Sequence, residues 1–117
     1  SEEISQRINK IYGVIIEEAL SHLHAKLEAE EFLDLNRELD HYILRAVYEY
    51  GIDHYSKNNL HEAKEIFIFL SIITENNVFR GAMQIHLVSI LTNISFQEFL
   101  NKFVDMEKME TENESFF

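Results

Sequence analysis

Apolar residues recur every three or four positions along the start of the chain. Ile4, Ile8, Ile11, Ile15, Ala19, Leu23 and Leu27 mark one side, while Glu2, Glu3, Lys10, Glu17, Glu18, Glu28 and Glu30 fall mostly elsewhere. This period predicts an amphipathic helix from residue 2 to about residue 33, with Gly13 loosening its middle. Asp34 to Asn36 should break it, because Asp and Asn favour helix caps over helix interiors. A second helix is predicted over 38–57, with Leu39, Ile43, Ala46, Val47, Tyr50, Gly51 and His54 on one stripe. Lys57 to Asn59 reads as a tight polar turn, and Asn59 with Glu62 has capping-box spacing.

The third helix is expected from Leu60 to about Thr74. Its second half is apolar nearly all round, through Ile66, Phe67, Ile68, Phe69, Leu70, Ile72 and Ile73. Such a helix needs cover on both sides. Thr74 to Asn77 is the next break, and Val78 to Leu91 the fourth helix. Ser95 and Glu98 form an S-x-x-E capping box that opens a fifth, carrying Phe96, Phe99, Leu100, Phe103 and Met106. These elements predict one helical domain over 1–108. Residues 109–117 are acidic and polar up to Phe116 and Phe117, and are expected to be flexible.

Composition sharpens this picture. Three Gly and no Pro among 117 residues leave few of the tight turns that all-β domains need, so the fold class is all-α. A 46 % apolar share with nine Phe and five Tyr supports a core. The absence of Cys excludes disulfides and thiolate metal sites. The formal charge of −11 argues against nucleic acid and anionic membrane as partners, because both reward Lys and Arg. The apolar run at Ile66 to Leu70 is far short of the ~20 residues of a membrane-spanning helix, so no membrane insertion is expected. The polar start of the chain does not read as a signal peptide.

No catalytic constellation emerges, and the chain is expected not to be an enzyme and to need no cofactor. Glu38 and His41 have the E-x-x-H spacing of di-iron helices, but those sites need a second such motif and two further Glu. His22 and His24 lie about 200° apart on a helix and cannot share an ion. His61 and Glu65 are more simply a surface pair. No Ser sits in a G-x-S-x-G elbow, and no glycine-rich phosphate loop is present.

Helix, turn, helix, break, helix, turn, helix is the grammar of helical-hairpin repeats. Ala63 follows Gly51 by twelve residues and Phe67 follows Ala63 by four. This resembles the tetratricopeptide repeat, in which two small residues let the helices approach and an aromatic fills the space beside them. It implies antiparallel helical hairpins of that type preceded by an N-terminal helix. More specifically, Tyr48, Gly51 and Tyr55, followed by Glu62, Ala63, Phe67 and Leu70, resemble the first repeat region of class II chaperones of bacterial type III secretion systems. The resemblance covers Leu35 to Met83. It implies a cytoplasmic bacterial chaperone that holds a hydrophobic secreted subunit, a translocator, before export. A shorter group of such chaperones holds a self-polymerising needle subunit with a small co-chaperone, and the chain length suits that group better. An acidic inhibitor or immunity-type protein is a third reading, favoured by the charge.

In such repeats the first helix of each hairpin lines a concave groove. The register then points Arg45, Tyr48, Ile52 and Tyr55 into it, with Arg80 and Gln84 joining from the second unit. Packing of Tyr48 and Tyr55 against the N-terminal helix is the competing expectation. The N-terminal helix has three possible neighbours: another copy in a homodimer, a small co-chaperone, or its own domain.

Overall fold

A computed structural model of the chain describes residues 2–102. Residues 103–117, with Phe103, Met106 and the expected tail, lie outside the described residues. The fold is all-helical: α1 (Glu2–Glu28), α2 (Glu38–Ser56), α3 (Leu60–Ile72), α4 (Asn77–Leu91) and a segment α5 over 96–102. Among the described residues there is no strand; a lone parallel bridge joins Leu33 to Thr74.

The helices end without glycine. Glu30, Asn58 and Asn93 each take a left-handed φ, of 57°, 61° and 62°. At each, the next residue donates back five positions: Glu31 to Lys26, Asn59 to His54, Ile94 to Ser89. This closure satisfies carbonyls that the last turn leaves open. At Glu30 it stops α1 at Glu28, five residues short of the expected end. The released segment runs extended, and the Leu33 amide donates to the Ile73 carbonyl at 2.9 Å. Leu33 is thereby buried beside the start of the α3–α4 connection.

Helix starts are less uniform. Ser95 accepts from the Glu98 amide at 3.2 Å, so the S-x-x-E box forms. Asn76 accepts from the Phe79 amide at 2.9 Å and caps α4. Asn59 makes no side-chain cap; its amide lies 3.3 Å from His54 Nδ1 instead. The expected capping box at Asn59 and Glu62 is thus corrected: the tight α2 ending turns Asn59 back toward α2.

The core lies where α2, α3 and α4 meet. α3 packs against both α2 and α4, which supplies the two-sided cover its apolar sequence demands. Val47, Ala63, Phe67, Leu70, Met83 and His86 are fully enclosed. Gly51 makes the α2–α3 approach possible: a Cβ there would lie 3.0 Å from both Ile66 Cγ2 and Phe67 Cζ.

α1 contacts the body more thinly. Its buried residues are Ile16, Ala19 and Leu23. His24 packs at a tilt on Phe69 of α3, and Tyr12 on Tyr50 of α2. No residue from 2 to 15 is buried. The single stripe expected from the sequence is really two. At 100° per residue, Ile4, Ile8, Ile11 and Ile15 form a row roughly 80° away from the face of Ile16, Ala19 and Leu23.

Candidate functional site

The expected groove residues sit along α2 and α4. Tyr48 is 7 % exposed and Tyr55 2 %. Both are core, which corrects the expectation that they point into an open groove. The reason is the shape of the α2–α4 seam, where polar partners await their hydroxyls. Tyr48 Oη lies 2.9 Å from Nε2 of His86. Its ring meets Phe67 and His86 edge-on. Tyr55 donates to the Ile94 carbonyl at 2.7 Å, and its ring packs on Phe96 and Phe99. Burial, followed by the nearby Glu98 carboxylate, pushes the Tyr55 phenol up from its ordinary value. A buried Tyr with a satisfied hydroxyl is a packing group, and the periodicity of α2 alone cannot distinguish it from a groove contact.

His86 is the residue that the sequence reading missed. It is wholly enclosed on α4 among Tyr48, Phe67 and Phe99. Nδ1 lies 2.6 Å from the Ala82 carbonyl, which can only accept, so Nδ1 carries the proton. Nε2 is then free to accept from the Tyr48 hydroxyl. Burial holds the imidazole neutral and lowers its pKa to about 4, against the opposing effect of the Ala82 bond. The signal was present in the spacing: Phe79, Met83, His86 and Ile90 form one stripe of an otherwise apolar helix.

The other four candidates are more open. Arg45 is exposed, pairs with Glu49 at 3.0 Å and lies 5.8 Å over the Tyr48 ring. Ile52 is half-buried on the same flank of α2. Arg80 is turned toward α3 and donates from Nε to the Ser71 carbonyl at 3.1 Å, where a cation suits a helix C-terminus. That placement corrects its expected position in the α2 groove. Gln84 is exposed and lies about 160° around α4 from His86. Arg45 and Ile52 therefore remain together on one accessible flank, while Tyr48 and Tyr55 support it from beneath.

The residues tested for chemistry do not assemble. His22 Nε2 lies 3.8 Å from buried Asp40, which itself accepts from the Asp34 amide. His24 faces Phe69 instead, so the two His diverge as helix geometry requires. Glu38 accepts from Tyr42, and His41 meets the same ring edge-on. Among the described residues no three His, Asp or Glu side chains converge as a metal site would need. A cavity of about 320 Å³ lies between 32–36 and 74–76, where Asp34 and Glu75 share the lining with Phe32. Among the described residues no helix is long and apolar enough to cross a membrane.

No known protein family, curated protein or solved structure matches this chain.

Proposed function

We propose that this chain is a type III secretion chaperone, which captures a hydrophobic secreted subunit in the bacterial cytoplasm before export. One observation carries the reading. Among the residues whose spacing resembles that family, Gly51 lies against Phe67 where α2 approaches α3, and Ala63, Phe67 and Leu70 are buried in the core. α2 with α3 would then be one tetratricopeptide-type hairpin, and α4 with α5 the start of a second.

The mechanism is capture without chemistry. A secreted subunit with apolar, membrane-inserting segments aggregates unless those segments are covered. The accessible flank of α2, with Arg45 and Ile52, offers an apolar contact beside a fixed cation. Specificity comes from a few anchors surrounded by satisfied polar groups. Tyr48 and Tyr55 hold the flank in shape and do not touch the cargo.

The test is affinity capture of the tagged full chain from its native cell at low and at high salt, with bound chains identified by mass spectrometry. A secreted protein with membrane-inserting segments, retained at high salt and lost in Ile52→Glu, is the expected result. Apolar capture survives salt because screening acts on charge. A short self-polymerising subunit would move the reading to the needle-chaperone group. A basic partner that high salt removes would replace the chaperone reading with an acidic inhibitor.

A further inference from the structure

We propose that α5 is an autoinhibitory strap over the groove between α2 and α4, and that an amphipathic helix of a partner protein, with two aromatic residues three apart, takes its place. The groove exists because α2 and α4 both pack on α3 and only thinly on each other. Its floor is the Tyr48–His86 pair, with Oη and Nε2 2.9 Å apart. α5 lies over this floor. Phe99 meets His86 of α4 with ring centroids 4.6 Å apart and Tyr55 of α2 at 5.3 Å. Phe96, three residues earlier, meets Tyr55 at 5.3 Å.

The strap is held as a ligand is held, by few anchors. Of residues 96–102 only Phe99 is buried, whereas α4 buries six of its fifteen. Phe96 is half-buried and Leu100 is 39 % exposed. A segment so thinly packed draws little stability from the body and opens before it. The connection is built as a joint. Asn93 takes a left-handed φ of 62°, and α4 closes on itself there, with the Ile94 amide donating to the Ser89 carbonyl. Beyond the joint, the Glu98 amide donates to Ser95 at 3.2 Å, so the first turn of α5 is capped by its own residues.

The floor stays satisfied when the strap leaves. His86 Nδ1 donates to the Ala82 carbonyl of its own helix, and Nε2 accepts from the Tyr48 hydroxyl of α2. Neither bond involves α5. The Tyr55 hydroxyl donates to Ile94, which lies in the connection ahead of α5. Opening therefore uncovers aromatic rings and orphans no polar group, which is what an aromatic anchor on an incoming helix needs. Charge narrows the partner further. α4 has no Asp or Glu from Asn77 to Leu91, in a chain of net −11. A helix with a neutral or acidic rim, like α5 with Glu98 and Lys102, lies along it without repulsion. The site is the seam beneath α5, apart from the Arg45 and Ile52 flank, and the exchange does not rest on the chaperone reading.

A labelled peptide of this chain's own sequence from Ile94 to Lys108 stands in for the partner helix, with binding read by fluorescence anisotropy. The wild-type full chain should bind it weakly, because the tethered α5 competes at high effective concentration. A full chain carrying Phe99→Ser should bind the unchanged peptide at least ~10-fold more tightly, because its own strap no longer fills the groove. The peptide carrying Phe99→Ser should bind neither chain. Equal affinity of both chains for the unchanged peptide overturns the proposal, as does no binding by a Phe99→Ser chain that keeps its helicity in circular dichroism. Where Phe99→Ser unfolds the chain, hydrogen exchange of the wild type in rising urea decides. Amides of 97–102 that open at lower urea than those of Val47, Phe67 and Met83 support the strap; opening as one unit with them makes α5 part of the core and overturns it. Capture of a secreted subunit through Ile52 is a separate readout that none of these results changes.

Discussion

α1 and the α2–α3–α4 body carry similar apolar repeats and use them differently. In the body, every helix finds a neighbour for its stripe, and α3 finds two. Phe67 and Leu70 are enclosed, and a glycine at 51 brings the backbones close. In α1 only Ile16, Ala19 and Leu23, in the second half, are buried, and the first half touches the body through Tyr12 on Tyr50. Its first half has equally regular isoleucines, yet they are rotated roughly 80° out of that phase. Periodicity therefore states that a helix has an apolar side; the phase between successive stretches decides what covers it.

The contrast is sharpest for a buried charge. Ala63→Glu places a carboxylate in the closed α2–α3 crossing and should cost about 4 kcal/mol or more, enough to unfold a small domain. The same carboxylate at Ile11 should cost the single chain almost nothing in a urea titration. Next in size is Tyr48→Ala, which removes a ring packed on Phe67 and leaves His86 Nε2 without its hydroxyl. About 3–4 kcal/mol of stability should be lost. A variant as stable as the parent would return Tyr48 to the surface.

Acid should separate the regions as well. The folded pKa of His86, about 4, lies below its ordinary 6.5, so the unfolded chain holds the proton more tightly. Its contribution is therefore fully present above about pH 6.5 and is lost as pH falls toward 4, roughly 3 kcal/mol in all. His86→Phe should flatten that part of the stability–pH curve, measured as the difference from the parent so that the carboxylates cancel.

The smallest effects come from two of the three helical glycines and have opposite signs. At Gly51 a methyl meets the enclosed Phe67 ring at 3.0 Å and should cost roughly 1–3 kcal/mol despite better helix propensity. At Gly13 a methyl meets nothing within 4 Å and should stabilise by about 0.5–1 kcal/mol. Thermal melts of Gly51→Ala and Gly13→Ala would check both; equal signs would contradict the picture of one closed region and one open one.

Much of the fold was legible because it rests on local rules. Scarce Gly and Pro, the three-to-four spacing and the Ser95–Glu98 box placed the described helices to within a few residues. The end of α1 was not legible, since Glu30 in a left-handed turn has no local signature. Nor was the orientation of α2. Tyr48 and Tyr55 share a face with Arg45 and Ile52 to within a turn's resolution, and only the position of α4 decides which of them are covered. His86 escaped attention because a lone His in an apolar stripe carries meaning only once Tyr48 is found opposite it.

Hydrogen exchange followed residue by residue tests the division of the molecule most directly. The account predicts slow amides around Val47, Phe67 and Met83, intermediate ones from Ile16 to Leu23, and fast ones over 2–15. Slow exchange over 2–15 would show that the first half of α1 is held as firmly as the body, and would contradict the account.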